Sequence, residues 1–230
     1  ESGGNNVFSS ADLTREKLAG AEKTDVADVG LLKDKIDKLT KEANQSLIEA
    51  VLAFAKTLEV KDHYTGEHVE RTVLYAMGIA RALNLSKEEI DRIKQAAILH
   101  DLGKIGISEK ILLKKSKLTK DEYTEIKKHP RIGVDIIRPI QFLHALIPLI
   151  LYHHERWDGK GYPNGLKGQD IPIGARIIAL ADVYQALTSD RPYRKGYPKD
   201  EAIKIVKDGA GSQFDPEIVK VFLRILESEI

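Results

Sequence analysis

Residues 86–104 read SKEEIDRIKQAAILHDLGK, and this stretch decides the fold class. Ser86 and Glu89 have the spacing of a capping box, which marks the start of a helix. Apolar residues then recur at helical intervals up to Leu99, and the pair His100-Asp101 follows directly. The pattern predicts a helix that presents an imidazole and a carboxylate at its C-terminal end.

The rest of the chain continues this helical pattern. The sequence contains neither a convincing alternating strand pattern nor an internal repeat, and a long Gly-rich stretch from Asp158 to Gly174 interrupts the helices. The fold class is therefore predicted to be all-α, with one functional loop. At 230 residues, the chain fits a single domain with an appendage better than two domains.

The N-terminal part is predicted to contain two segments ahead of the domain. Residues 1–29 are polar and show no sustained apolar period, which predicts a flexible linker or tail. Residues 30–46 are predicted to form a linker helix, since Leu32, Ile36 and Leu39 follow the spacing of a helical seam. That spacing fits an amphipathic helix packed on the body and equally a coiled coil between subunits. The domain itself is predicted at residues 47–230.

Composition limits the partners and the ligands. Lys and Arg number 36 against 35 Asp and Glu, so the formal charge of +1 gives no general attraction to DNA or membranes. No apolar run reaches the about 18 residues of a membrane span, and the chain does not open with a signal peptide, so a cytoplasmic protein is expected. The chain contains no cysteine. Any metal must therefore be held by His, Asp or Glu, which suit iron, manganese or zinc.

Two more features of the sequence point to such a metal. His153 and His154 close the apolar stretch from Leu146 to Tyr152. Two adjacent imidazoles are poor packing in a core unless they share a cation, so the pair is expected at a helix terminus. Asp182 ends the apolar run from Ile177 to Ala181, where a carboxylate is costly to bury alone. A metal ion would be a sufficient partner for it.

Two motifs resemble the HD-GYP family: HDLGK at residues 100–104 and HHERWDGKGYPNGLKG at residues 153–168. The first alone marks the broad superfamily of HD phosphohydrolases, whereas the second is long and specific. The likeness extends over about residues 47–222. It implies a helical bundle of the HD-domain type with a Gly-rich loop, here called the GYP loop, at residues 153–168.

The resemblance also implies the residues of a metal centre. The implied metal ligands are His68, His100, Asp101, His129, His153, His154 and Asp182. Asp101 would bridge two cations, and Asp101 and Lys104 would be the catalytic residues. The implied substrate contacts are Lys104, Arg191, Arg194 and Tyr162.

Two positions depart from the family pattern. Some members bind a third metal through a glutamate where this chain has Tyr64, so a dinuclear centre is expected. Gln185 stands one helical turn after Asp182, where the family pattern predicts Asp. If that position orients a ligand or substrate, the lost charge would weaken metal affinity or slow turnover by ~10- to 100-fold.

The activity that the resemblance implies is hydrolysis of cyclic di-GMP to linear pGpG, or on to GMP. A hydroxide bridging two divalent metal ions would be the nucleophile, with iron or manganese as the metals and zinc, nickel or cobalt as substitutes. The resemblance also implies GGDEF-domain proteins that dock on the GYP loop. Two further partners are expected on other grounds: an upstream sensor domain, because the sequence starts without Met, and a second copy of the chain, because of the helical seam.

Two alternatives to this activity stay open. The short HDLGK motif also permits another nucleotide phosphohydrolase of the HD superfamily. A scaffold that binds cyclic di-GMP or cyclases without hydrolysis is the other alternative, and Gln185 keeps it open. Cleavage of 3′,3′-cGAMP is undecided by the sequence.

Overall fold

A computed structural model describes residues 10–61, 67–114, 116–190 and 195–228. Within these ranges the backbone forms ten α-helices: α1 (Ser10–Lys61), α2 (Glu67–Ala82), α3 (Lys87–Leu99), α4 (Glu109–Leu112), α5 (Lys120–Ile126), α6 (His129–Ile137), α7 (Ile147–Leu151), α8 (Ile173–Thr188), α9 (Lys199–Asp208) and α10 (Pro216–Ser228). Short 3-10 helices lie at Leu102–Gly106, Gln141–Leu146 and Gly168–Asp170. The chain divides into two compact units, Glu1–Ala50 and Val51–Ile230.

Helix α1 begins earlier than the sequence predicts. It starts at Ser10, so residues 10–29 are helical where a flexible linker or tail is expected. The segment lacks an apolar period, but it is rich in Ala, Leu, Lys and Glu, which have high helix propensity. Residues 30–46 are helical as predicted. The role of either segment as a linker stays a prediction.

Apolar side chains along α1 form an exposed row, here called the apolar stripe. Its members are Val29, Leu32, Ile36 and Leu39, which are between 55% and 65% exposed. Contact with a second helix would remove this surface from water, so a coiled coil stays a prediction. Although the stripe is apolar, no helix in the described part of the chain combines the length and hydrophobicity that crossing a membrane requires.

Helix α2 is central to the second unit, where it packs against α3, α8 and α10. Each of these four helices contributes a fully buried side chain, namely Ile79, Ile93, Ile178 and Phe222. The ring centroids of Phe222 and Tyr184 lie 4.9 Å apart in an edge-to-face arrangement. One apolar core therefore joins the helices, and the described residues include no β-strand. The prediction of an all-α helical bundle is confirmed.

Helix α3 has the start and the end that the sequence predicts. Ser86 and Glu89 form a capping box, and the helix ends at Leu99. The 3-10 helix that follows packs against α6. Gly103 is required at this contact, because a Cβ there would overlap the carbonyl oxygen of His129. This close approach brings the end of α3 next to the start of α6, where the metal-ligand candidates lie.

Candidate metal centre

The structure brings all of the implied metal ligands together. Two of them lie within helices, His68 near the start of α2 and Asp182 in α8. The others lie at helix termini: His100 and Asp101 after α3, His129 at the start of α6, and His153 and His154 after α7. The adjacent histidines lie at a helix terminus, as predicted, and there both rings can turn toward one point.

Three of the buried histidines have the same orientation. Nδ1 of each lies within hydrogen-bond distance of the backbone carbonyl three residues earlier, at 2.8 Å for His100, 2.8 Å for His129 and 2.6 Å for His153. A carbonyl can only accept, so Nδ1 carries a hydrogen in each ring, and in the neutral rings of His129 and His153 Nε2 presents a lone pair. This arrangement fixes the ring plane of each imidazole and directs Nε2 toward the centre, as metal-binding histidines require.

The ligand atoms form two groups that share Asp101. The three-histidine group consists of Asp101, His129, His153 and His154, and the two-histidine group consists of His68, His100 and Asp101. Within each group the ligand atoms lie within 4.8 Å of one another. Oδ1 of Asp101 is 3.4 Å from Nε2 of His129, and Oδ2 is 3.3 Å from Nε2 of His100. The two carboxylate oxygens thus face different groups, as in a bridging ligand.

Asp182 extends the two-histidine group. Its Oδ1 lies 3.6 Å from Nε2 of His68 and 3.8 Å from Nε2 of His100. Its neighbours in α8, Leu180 and Ala181, are fully buried in the core. The backbone of a rigid, packed helix therefore positions this carboxylate beside the two imidazoles.

Burial keeps four of the imidazoles neutral at ordinary pH. It lowers the pKa of His153 well below its usual value and lowers that of His154 to about 3. Burial also lowers the pKa values of His68 and His129. Neutral imidazole is the form that binds metal ions, so these four rings are ready to act as ligands.

His100 and the two carboxylates hold one another in charged form. Burial would lower the pKa of His100, but Asp101 and Asp182 outweigh it and hold that pKa well above its usual value. Burial would raise the pKa of each carboxylate, but Lys104 and His100 keep that of Asp101 low, and His100 keeps that of Asp182 low. Two ionised carboxylates in a buried cluster require positive charge beside them.

These donors fit divalent metal ions. Nε2 of His100 is buried and lies 3.3 Å from Oδ2 of Asp101 and 3.8 Å from Oδ1 of Asp182. The Nε2 atoms of His129 and His153 face each other at 3.3 Å. Two lone pairs at this distance repel unless a proton or a cation lies between them. Nitrogen and oxygen donors without sulfur suit iron, manganese or zinc, so the chemistry of the set agrees with the expectation from sequence.

Two of the implied substrate contacts border this centre. Nζ of Lys104 lies 2.5 Å from Oδ2 of Asp101, and the lysine side chain is 19% exposed. The ring of Tyr162 stacks on the imidazole of His154, with centroids 4.8 Å apart and planes at 30°. Burial raises the pKa of Tyr162, so its phenol stays protonated and can donate a hydrogen bond.

The other positions singled out from the sequence contribute less. Arg191, Arg194 and Tyr64 lie outside the described residues, so their roles stay predictions. Gln185 is 2% exposed, and its Nε2 donates to Oγ of Ser189 at 2.8 Å. The amide thus binds the end of its own helix, and the effect of Gln185 on turnover or metal affinity stays a prediction.

Sequence reasoning missed Glu155, which follows the two histidines and is 3% exposed. Its carboxylate binds backbone N–H groups nine and ten residues further along the GYP loop. The loop has no periodic pattern that would reveal such contacts. The only available signal was a carboxylate placed directly after two ligand candidates inside a specific motif.

Comparison with known proteins matches residues 31–218 to the family model described as HD domain. The cyclic di-GMP phosphodiesterase response regulator RpfG of Xanthomonas campestris pv. campestris is 43% identical over 178 residues, which cover 76% of this chain and 47% of that protein. The cyclic di-GMP phosphodiesterase of Thermotoga maritima is 40% identical over 204 residues, covering 87% and 55%. The chain spans about half the length of these relatives.

A solved structure shares the architecture. The cyclic GMP-AMP specific phosphodiesterase V-cGAP3 of Vibrio cholerae matches with a TM-score of 0.63 over 79% of this chain and 49% of that one. The two sequences are 23% identical over the matched region. At this identity the likeness concerns the fold, and it agrees with the all-α bundle described above.

Proposed function

The chain belongs to the HD domain family, in its HD-GYP group, and from this premise we propose that it is a phosphodiesterase that opens cyclic di-GMP to linear pGpG. The relatives at 43% and 40% identity are named for activity on cyclic di-GMP. The observation that carries the proposal is the position of Asp101, whose two oxygens face two separate groups of ligands. A shared carboxylate of this kind suits a centre that acts on phosphate esters.

The proposed cofactors are two divalent cations, iron or manganese, for which zinc, nickel or cobalt would substitute. One would be held by the three-histidine group and the other by the two-histidine group with Asp182, and Asp101 would belong to both. When bound, the cations would activate water for attack on phosphorus and offset the charge of the phosphoryl oxygens.

Side chains of the protein would position the substrate and offset the negative charge that develops on it. A water oxygen bonds to phosphorus, the bond from phosphorus to the ribose 3′-oxygen breaks, and that oxygen takes up a proton. Negative charge grows on the phosphoryl oxygens during this step, and the ammonium group of Lys104 is placed to offset it. The protonated phenol of Tyr162 can donate a hydrogen bond to the substrate. Arg191 and Arg194 are proposed as further phosphate contacts on sequence grounds alone.

Partners and location are proposed on narrower grounds. The GYP loop exposes Lys160, Asn164 and Lys167, and we propose it as the docking surface for GGDEF-domain proteins. The apolar stripe of α1 is proposed as the contact with a second copy of the chain. The cytoplasm is proposed as the place of activity, and a chain without cysteine is compatible with its reducing conditions.

The experiment that tests the function is anaerobic incubation of the protein with Fe²⁺ or Mn²⁺ and cyclic di-GMP. Chromatography would separate pGpG from GMP, and 3′,3′-cGAMP would be run in parallel to define the substrate. The double variant His100→Ala/Asp101→Ala should form no product. His144→Ala is the matched control, because this exposed histidine donates to the carbonyl of Arg138 and lies outside both ligand groups.

The outcomes separate the enzyme from the alternatives. Metal-dependent pGpG that is absent from the double variant supports the proposal. Intact cyclic di-GMP in the presence of bound metal would overturn it. Retained binding of cyclic di-GMP or of a cyclase in that case would favour the scaffold, which Gln185 keeps open.

A further inference from the structure

Glu155 is a buried acidic residue of the GYP loop that the proposed catalytic centre does not use. It follows His154 directly and is 3% exposed. Its Oε1 accepts two backbone hydrogen bonds, from the N–H of Asn164 at 2.7 Å and from the N–H of Gly165 at 3.0 Å. Its Oε2 makes no hydrogen bond with the residues that the structure describes. The carboxylate therefore binds the backbone of the loop.

These two bonds fold the loop back onto its own start. Inside the closed segment, the N–H of Tyr162 donates to the carbonyl of His154 at 3.2 Å. Gly161 allows this approach, because a Cβ at that position would overlap the backbone of residues 154–156. As a consequence, the ring of Tyr162 lies against the imidazole of His154, with centroids 4.8 Å apart and planes at 30°.

The imidazole of His154 is held differently from those of His129 and His153. The rings of His129 and His153 are each fixed by a hydrogen bond from Nδ1 to a backbone carbonyl. The imidazole of His154 makes no such bond within the described part of the chain. Ring contacts hold it instead, with Tyr162 on one side and with His153 at 4.0 Å and His129 at 5.0 Å between centroids.

A weaker contact joins the same segment to α6. Nη2 of Arg131 donates to Oδ1 of Asn164 at 2.9 Å, and Arg131 stands two residues after His129. This bond is exposed to solvent. It therefore contributes less to the stability of the loop than the hydrogen bonds that the charged carboxylate of Glu155 accepts. The two partly buried bonds to the carboxylate of Glu155 are therefore the main anchor of the segment that carries Tyr162.

We infer that Glu155 is a positioning residue for His154: it anchors the loop backbone at Asn164 and Gly165, and the anchored loop holds Tyr162 against the imidazole. The inference rests on the proposed function in one respect, since it takes His154 as a metal ligand of the three-histidine group. Mutation of a residue that contacts and orients a metal ligand typically lowers metal affinity by about 10- to 100-fold, and a loss of this size is expected here.

The test is a titration of the metal-stripped full chain with Mn²⁺ by calorimetry, without nucleotide. In Glu155→Ala, the affinity for one of the two ions should fall by about 10- to 100-fold, and the affinity for the other should not change. Glu155→Gln should bind both ions as the wild type does, because its side-chain oxygen can still accept both N–H groups. Lys160→Ala, an exposed position in the same loop, is the matched control.

The single tryptophan of the chain, Trp157, lies in this loop and reports on its conformation. Its ring lies under the guanidinium group of Arg176, 5.7 Å from the ring centroid. Its emission should change in Glu155→Ala and should match the wild type in Glu155→Gln. Unchanged Mn²⁺ affinity in Glu155→Ala would overturn the inference, as would an equal loss in Glu155→Gln, which would indicate that the charge matters and the anchor does not.

Tyr162→Ala keeps the inference testable if Glu155→Ala does not fold. This variant removes the ring that lies on His154 but leaves both bonds to Glu155, so the same loss of affinity is expected. Unchanged Mn²⁺ affinity in Tyr162→Ala would contradict the inference. A wild type that binds two Mn²⁺ ions without cleaving cyclic di-GMP contradicts the proposed function and leaves this titration valid, whereas a wild type that binds no Mn²⁺ contradicts both.

Discussion

The ammonium group of Lys104 lies 2.5 Å from Oδ2 of Asp101, the carboxylate shared by both ligand groups. Both side chains are mostly buried, at 19% and 15% exposure, so solvent screens this ion pair little. Lys104 thus supplies positive charge to the cluster described here. A cation bound by Asp101 would use the same oxygen lone pairs and would be repelled by the ammonium group.

From this relationship, Lys104→Ala should separate catalysis from metal binding. Turnover should fall by about 10²- to 10³-fold, because a charge that offsets the developing negative charge on the phosphoryl oxygens is lost. Metal affinity should be equal to that of the wild type or higher, because a competing cation has been removed from Asp101. Turnover and Mn²⁺ titration on one preparation check both statements. A parallel loss of both quantities would show that the lysine supports the fold of the centre instead.

The two carboxylates should differ in how many ions they hold. Asp101→Asn should weaken the binding of both cations, because Asp101 belongs to both groups. Asp182→Asn should weaken one, because Asp182 lies beside His68 and His100 of the two-histidine group. Equilibrium dialysis followed by elemental analysis gives the metal content of each variant. Equal metal content in the two variants would argue against a bridging role for Asp101.

Local signals in the sequence predict the places of five ligand candidates, whereas His68 and His129 follow only from the resemblance to the family. A capping box and a glycine flank the helix that ends at Leu99, directly before His100, and two adjacent histidines after an apolar run indicate a helix terminus. Distances could not be predicted in this way, since the contact between His129 and His153 joins residues 24 positions apart. The ion pair of Lys104 with Asp101 likewise depends on side-chain conformations that no spacing specifies.

Two other features of the structure could not be predicted from the spacing of apolar residues. The helix over residues 10–29 follows from intrinsic propensity, and a search for apolar spacing does not detect propensity. The role of Glu155 depends on an irregular loop that returns to its start, and its partners are backbone N–H groups that carry no sequence identity. The contacts within an irregular loop therefore could not be predicted from the sequence, even though the motif itself is highly specific.

Acidification should destabilise the metal-free protein. Burial lowers the pKa values of His153 and His154, so the unfolded chain takes up protons below about pH 6.5 that these folded residues do not, and the free energy of unfolding falls. Each such histidine contributes about 1.4 kcal/mol of destabilisation by pH 5.5. His100 opposes this trend, because its raised pKa gives stability that is fully present below about pH 6.5 and is lost as pH rises.

Four histidines have a lowered pKa and one has a raised pKa. The melting temperature in the presence of chelator should therefore fall when the pH is lowered from 7.5 to 5.5. His154→Asn should show a weaker dependence on pH, since it removes one of the titrating groups. A melting temperature that is constant or rises on acidification would show that the buried imidazoles are not held neutral.

The apolar stripe of α1 should form a parallel two-stranded coiled coil. Val29 and Ile36 occupy one seam position and Leu32 and Leu39 the other, and β-branched residues at the first with leucine at the second favour parallel dimers. All four side chains are more than half exposed. In such a dimer the two copies of Leu39 lie opposite each other across the seam.

Since the chain has no cysteine of its own, one introduced thiol can test this arrangement. Leu39→Cys should form an intermolecular disulfide under mild oxidation, because the two thiols would meet in the seam. Lys41→Cys, on the opposite side of the helix, should remain reduced under the same conditions. Sedimentation of the wild type should give the mass of a dimer. A monomeric mass, or equal cross-linking of the two variants, would show that the stripe does not join two copies.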